Sequence, residues 1–423
     1  MKNLIAKILG FLTRAVLMQF KPVIVGVTGS VGKTSTKEAI VAVVQERFSV
    51  RSSVGNYNNE FGLPLAVLGE ASPGKNIFGW LSVFFRALLT LLKNNYPQVL
   101  VLEMGADKPG DITYLLRLTG PLDYAVITDI GISHLLNYSS KEALAKEKLT
   151  LARGVKDHGT IVLNIDNEIL AKFASEKKNE NIVTYGSGES VQVGAVETKL
   201  IQQGKQWGLN FKIKYQGATV PVVIPNALGR ANVYAGLAAA CVGLKMGMNL
   251  VEVSQGLGKY SPPAGRLRFM EGIKHTWIID DTYNAAPASV NLALDVLKEV
   301  AGSSRKVAVL GGMAELGNQT ESGHKEVAIK IQEVGVEMVF LVGDNAKIIR
   351  DELERRQFKG IVKWFDAADN ARIPVQNEIR EGDMILIKGS QSSRMEKVVK
   401  EIMADPQSAD KVLVRQSEYW QKN

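Results

Sequence analysis

The eight residues Thr28 to Ser35, TGSVGKTS, constrain this chain more than any other feature. They follow a short apolar run, PVIVGV, over Pro22–Val27. They precede a stretch whose pattern predicts a helix from Lys33 to about Glu46. Strand, glycine loop and helix in that order build a site for phosphate. Glycines let backbone N–H groups approach the oxygens, and the helix N-terminus favours negative charge. Thr28, Gly29, Ser30, Val31 and Gly32 are then the cradle, and Ser35 closes it. Lys33 reaches the β- and γ-phosphates, and the hydroxyl of Thr34 is placed to hold Mg²⁺. The common spacing G-x-x-x-x-G-K-[ST] needs a glycine where this chain has Val27, so the loop follows the shorter form T-G-x-x-G-K-[ST].

The loop sits in a repeating α/β rhythm. Val99–Glu103, Tyr124–Thr128 and Gly159–Asn164 read as further buried strands with helical patterns between them. That alternation predicts a parallel sheet covered on both faces. From about Ile182 to Ile224 the period shortens to two, which predicts a β-rich extension of antiparallel strands. A helix follows from about Ala231 to Met246, and YSPPAGRLR carries the proline and glycine of a linker. The α/β rhythm then restarts with WIIDD, KVAVLGG, MVFLVG and MILIKG, and with helices over 288–300, 322–335 and 392–403. The expected organisation is an N-terminal amphipathic helix over 1–21, a central nucleotide-binding domain over 22–266 and a second, Rossmann-like α/β domain over 267–423.

At 423 residues, 46% hydrophobic and 22% charged, the chain is long enough for two folded domains. Its net charge of +8 suits anionic substrates or an anionic surface. No basic run with interleaved aromatics is present, which argues against nucleic acid as a partner. One cysteine, Cys241, excludes an internal disulfide, and a reducing cytoplasm fits. Two apolar stretches, 1–20 and 77–92, are interrupted by Arg14 and Arg86 and read as amphipathic helices. Two readings stay open for them: packing on protein, or peripheral contact with a membrane surface.

The short loop resembles that of the Mur ligase family, T-G-[ST]-x-G-K-[ST]. Five further segments extend the resemblance over nearly the whole chain: GNYNNEFGLPL (55–65), LEMGADKPGDI (102–112), DDTYNAAPASV (280–290), GGMAELG (311–317) and IKGSQSSRME (387–396). They are closest to the branch that adds D-alanyl-D-alanine to UDP-N-acetylmuramoyl-tripeptide. The resemblance implies an ATP- and Mg²⁺-dependent ligase in the cytoplasm. It would form an amide through an acyl phosphate, with a peptidoglycan precursor peptide and D-alanyl-D-alanine as substrates.

It also implies roles. Glu103, at the carboxyl end of its strand, would share a metal ion with Thr34. His134, in GISHLL, would bind a second metal ion. Two lysines, Lys146 and Lys148, lie near the family's carbamylated lysine. On a helix, Lys148 has the more apolar i±3 and i±4 neighbours (Leu144, Ala145, Leu151 and Ala152), and burial lowers a lysine's pKa. The family's spacing from the histidine also selects Lys148. Arg266 would reach the γ-phosphate from the linker. Asp281, Tyr283, Asn284, Lys388 and Ser390 would meet the nucleotide or the acyl substrate. Asn56, Asn58 and Asn59, a turn on composition alone, would contact the peptide substrate. Asn232 would read adenine, although the family's neighbouring histidine and second asparagine are here Ala231 and Ala235.

The sequence departs from that branch at its start. Only a basic amphipathic helix precedes the loop, where relatives carry a domain that grips the UDP end of the substrate. Two alternatives to the leading expectation are a Mur-like ligase with another carboxylate substrate and a membrane-associated, non-catalytic nucleotide scaffold.

Overall fold

A computed structural model describes residues 2–53, 55, 57–131, 138, 140–177, 181–203, 206–417 and 420. His134 and Asn56 lie outside the described residues. The chain divides into two compact units. One comprises Met1–Lys199, Asn210–Ile224 and Arg230–Tyr260; the other comprises Leu200–Leu209, Pro225–Gly229 and Ser261–Asn423.

The first unit opens with α1 (Lys2–Phe20), β1 (Val23–Thr28), α2 (Lys33–Val44), β2 (Val50–Ser52), α3 (Gly62–Leu68) and α4 (Ile77–Leu91). It continues through β3 (Val99–Glu103), α5 (Asp111–Thr119), β4 (Leu122–Ile127), α6 (Lys141–Arg153), β5 (Val155–Asn164), α7 (Glu168–Glu176) and β6 (Ile182–Gly186). Strands β7 (Val193–Gln203), β8 (Gln206–Tyr215) and β9 (Ala218–Pro225) precede α8 (Arg230–Lys245) and α9 (Leu250–Lys259).

The nine strands run in the order β2-β3-β1-β4-β5-β6-β7-β8-β9. Every pair from β2 to β7 is parallel. From β1 the chain goes to one side for β2 and β3, then crosses to the other for β4 and β5. The carboxyl end of β1 is therefore the crevice where such sheets bind ligands. β1 is almost wholly buried, as its unbroken apolar run requires of a central parallel strand. Glu103 ends β3, and residues 23–27 of β1 pair in register with 99–103, so Glu103 lies beside Val27 at the foot of the loop.

Helix α6 carries Lys148 on its buried side. Ser140 is the N-cap, and its hydroxyl accepts from the N–H of Ala143 at 3.2 Å. Leu144, Ala145, Lys148, Leu151 and Ala152 point inward, while Lys146 is exposed. Helix α8 is buried along most of its length, Cys241 included, and packs on α2.

In the second unit, β10 (Arg268–Glu271), β11 (Trp277–Asp281), α10 (Pro287–Ala301), β12 (Lys306–Gly311) and α11 (Thr320–Val334) come first. They are followed by β13 (Met338–Val342), α12 (Lys347–Arg355), β14 (Ile361–Phe365), α13 (Ala368–Glu378), β15 (Met384–Lys388), α14 (Glu396–Ile402) and α15 (Ala409–Val412). The sheet order is β10-β11-β15-β12-β13-β14, parallel except for the antiparallel edge strand β10. Buried apolar clusters cover both faces of this sheet. Strand β14 is half exposed and α13 contains Pro374, so neither shows the apolar run or the unbroken helical pattern that marks its neighbours.

Candidate active site

The loop between β1 and α2 is held open by its own backbone. Gly29 has φ +155°, and a Cβ there would lie 2.0 Å from Thr128 Oγ1 and 3.1 Å from the backbone nitrogen of Asp129. Gly32, at φ +82°, begins α2 without a side-chain cap. The first N–H groups of a helix have no partner within it, so an uncapped start suits an anion. Thr128 Oγ1 donates to the Val31 carbonyl at 2.6 Å, and the Ser30 N–H donates to the Asp129 carbonyl at 2.8 Å. These bonds clamp the loop to the end of β4. Thr28, by contrast, turns its hydroxyl inward to the Met104 carbonyl at 2.8 Å.

Two ammonium groups converge on this loop. Lys33 Nζ donates to the Gly29 carbonyl at 2.8 Å, and Lys148 Nζ donates to the same oxygen at 3.1 Å. Lys148 is fully buried. Burial first, and the neighbouring Lys33 cation second, bring its pKa down to about 7, against the opposing pull of Asp107, Asp129 and Glu147. Lys148 is thus the lysine of the pair that can lose its proton near neutrality.

A metal-type donor pair stands next to the loop. Thr34 Oγ1 donates to Glu103 Oε2 at 2.9 Å, and Asn58 Nδ2 donates to Glu103 Oε1 at 3.2 Å. A hydroxyl and a carboxylate at this spacing are oxygen ligands of the kind Mg²⁺ takes alongside phosphate oxygens. Among the described residues no three His, Cys, Asp or Glu side chains form a metal cluster. A cation here would therefore rely on Thr34, Glu103 and its ligand. The uncapped helix start, the glycine-lined cradle and this oxygen pair together fit a nucleotide with its Mg²⁺. Asn59 does something else: its Oδ1 accepts from the N–H groups of Phe61 and Gly62 at 3.2 and 2.9 Å, which starts α3. Asn232 is buried in α8 and accepts from the Tyr260 hydroxyl at 2.9 Å.

The second unit gathers its own polar cluster at the carboxyl ends of β11 and β15. Lys388 Nζ pairs with Asp281 and also donates to the Asn284 carbonyl at 2.9 Å. The Asp281 Oδ1 accepts from the Leu267 N–H at 3.2 Å. The Arg266 guanidinium lies 3.9 Å from the centre of the Tyr283 ring. Ser390 donates to the Gly312 carbonyl at 2.6 Å. Behind them, Asp280 is fully buried and accepts from Thr282 Oγ1 at 2.6 Å and from the Gly265 N–H at 3.0 Å. Burial raises its pKa to about 6. Arg266, Asp281, Tyr283, Asn284 and Lys388 therefore share one corner of this unit.

The family model of the Mur ligase middle domain matches residues 27–78 and 82–243, and that of the Mur ligase glutamate ligase domain matches 265–391. The chain belongs to the Mur ligase family. As a Mur ligase it is an ATP-dependent enzyme that forms carbon–nitrogen bonds. It is 32% identical over 397 residues to the UDP-N-acetylmuramoyl-tripeptide–D-alanyl-D-alanine ligase of Bacillus subtilis, covering 94% of this chain and 79% of that one. The enzyme of the same name from Escherichia coli is 27% identical over 396 residues, covering 92% and 79%. Among solved structures, MurF from Acinetobacter baumannii superposes with a TM-score of 0.77 at 25% identity, covering 94% of this chain and 80% of that one. MurF from Thermotoga maritima in complex with ADP gives the same TM-score and identity, covering 94% and 83%.

In this Mur ligase several supporting residues carry no motif that would single them out in the sequence. Glu147, one position before Lys148, accepts from the N–H groups of Gly110 and Ile112 at 3.0 and 2.8 Å and so caps α5 from α6. Asn167 donates to Asp129 Oδ1 at 2.8 Å and to the Ile130 carbonyl at 3.1 Å, which steadies the segment that clamps the loop. Arg415 donates to the carbonyl of Thr282 at 3.0 Å, to the carbonyl of Tyr283, and to buried Glu396 at 3.0 Å. Buried His324 accepts from the Met313 N–H at 3.0 Å and pairs through Nδ1 with the Thr320 carbonyl at 2.6 Å, so it holds the GGMAELG turn in neutral form. Burial also lowers its pKa.

Proposed function

We propose that this Mur ligase adds D-alanyl-D-alanine, through its amine, to the free carboxylate of a UDP-N-acetylmuramoyl-tripeptide, and that it does so in the cytoplasm. The observation that carries this reading is the similarity to the Bacillus subtilis ligase of that name across 94% of the chain, both units included.

The chemistry divides between the residues above. Lys33 exchanges the Gly29 carbonyl for the β- and γ-phosphates, and the N–H groups at the start of α2 bind the same oxygens. Thr34 and Glu103 would hold Mg²⁺, which would supply charge neutralisation where a carboxylate anion must approach a triphosphate. The substrate carboxylate then attacks the γ-phosphorus, and ADP leaves with the bridging oxygen. The amine attacks the acyl carbon, inorganic phosphate leaves, and the amine's proton passes to a base. Lys148 is assigned as the carbamylated lysine: its lowered pKa supports a neutral amine that takes up CO₂ and becomes an anion. His134 is assigned to a second metal ion. Arg266, Asp281, Tyr283, Asn284, Lys388 and Ser390 are assigned to the nucleotide and acyl substrate, Asn232 to adenine, and Asn56, Asn58 and Asn59 to the peptide.

Phosphate release measured with ATP, the nucleotide-linked tripeptide and the dipeptide tests the reading. Release that needs all three, with a product heavier by the dipeptide less water, is expected. Turnover of ATP indifferent to any amine would sink it.

A further inference from the structure

The outer faces of α1 and α4 lie together in the first unit, and among the described residues neither is covered. Helix α1 sends Leu9, Leu12, Val16 and Leu17 into the core. On its other side Leu4, Phe11 and Met18 recur every seven residues, interleaved with exposed Lys7 and Arg14. Helix α4 buries Trp80, Val83 and Ala87. Its outer stripe has the same helical spacing: Phe78 is 81% exposed, Leu81 59%, Phe85 63%, Leu88 51% and Leu92 79%. The Gln19 side chain donates to the Leu91 carbonyl at 2.7 Å and ties the two helices.

Charge singles out the partner. Segments 1–21 and 71–98 carry Lys2, Lys7, Arg14, Lys21, Lys75, Arg86 and Lys93, and no acidic residue. At the far end of α4 a cleft of about 650 Å³ is lined by Arg51, Glu70, Arg86, Lys93 and Tyr96. Glu70 there is already paired with Arg86, while Lys93 forms no ion pair with any described residue. An apolar stripe edged with cations matches an anionic interface, where acyl chains take the phenylalanine and leucine side chains and lysine and arginine stems reach up to headgroup phosphates. A second copy of the same face would bring like charges together. A membrane-spanning α1 would strip Leu9, Leu12 and Val16 from the core.

We propose that the α1/α4 face docks on an anionic phospholipid bilayer, with both helices lying in the interface rather than crossing it. The stripe is made of exposed side chains and includes none of the residues of the phosphate loop or its oxygen pair.

Co-sedimentation of the full chain with vesicles tests it. The chain pellets with vesicles of phosphatidylcholine mixed with phosphatidylglycerol, stays soluble with phosphatidylcholine alone, and is released by salt. Phe78→Ser with Phe85→Ser, and separately Lys7→Glu with Arg14→Glu, each lower the partition by about tenfold or more. All four side chains are exposed, so wild-type circular dichroism and nucleotide binding are expected in both variants and serve as the check on folding. No pelleting with the mixed vesicles overturns the proposal, as does equal pelleting with phosphatidylcholine alone or unchanged partition of the apolar variant. A wild type that sediments in solution as a complex, dispersed by Phe78→Ser with Phe85→Ser, assigns the face to a protein and overturns it too.

Discussion

Lys33 and Lys148 share one acceptor. One lies in the loop and the other on α6, yet both ammonium groups donate to the carbonyl oxygen of Gly29, at 2.8 and 3.1 Å. Two cations on one neutral oxygen repel each other, and the buried one yields its proton first. In the unfolded chain Lys148 titrates near 10.5; folded, it titrates at about 7. Between those values the unfolded state binds more protons, so stability rises with pH across the window and this contribution is flat below it. The cost of the buried cation is felt in full below pH 7. In CO₂-free buffer, where the side chain stays an unmodified amine, Lys148→Met should therefore melt above the wild type at neutral pH, and the gap should shrink as the pH approaches 10. Thermal unfolding across the pH range reads this out, while ligase turnover in the same variant should be lost.

Glu103→Gln separates binding chemistry from folding. The amide oxygen still accepts from Thr34, but its NH2 now faces the Asn58 donor, so a stability loss of about 1–3 kcal/mol is expected, well short of unfolding the chain. The anionic ligand is gone, and ATP-dependent turnover should fall by about 10²–10³. Denaturant unfolding and phosphate release measured side by side check the split.

Gly29→Ala puts a methyl group against Thr128 Oγ1 and the Asp129 backbone. Thr128 Oγ1 would have to leave the Val31 carbonyl, and the Asp129 backbone at 3.1–3.2 Å leaves little room for the methyl to move away. A loss of about 2–3 kcal/mol is expected, together with loss of nucleotide binding. Calorimetry with and without ATP measures both, and a stable variant that still binds ATP would contradict the cradle.

Lys388→Met leaves Asp281 buried without its cation. Removing one partner of a buried pair costs about 3–5 kcal/mol. The double variant with Asp281→Asn should recover part of that loss, because the uncompensated charge is gone. A double-mutant cycle by urea unfolding gives the coupling.

The strand–loop–helix at residues 22–46 was legible because a phosphate cradle leaves little freedom in residue type: glycine for approach, lysine for charge, a hydroxyl for the metal. Lys148 was separable from Lys146 because the period of 3.6 places one inside and the other outside, and the structure buries the first and exposes the second. Glu103 was legible as the last residue of an apolar strand. The support behind them was not. Glu147 caps a helix other than its own, Asn167 holds Asp129 across 38 residues, and Arg415 reaches Tyr283 from 132 residues away. Such contacts follow from tertiary packing and leave no local pattern.

Cys241 lies buried in α8, against the helix that carries the phosphate loop. The chain has no other thiol, so a thiol reagent has one address, and it reacts only while that region is parted. A ligand that grips the loop stabilises the closed form by mass action and should slow the labelling. The molecule thus carries its own stopwatch for the opening of its nucleotide site, readable without any change to the sequence.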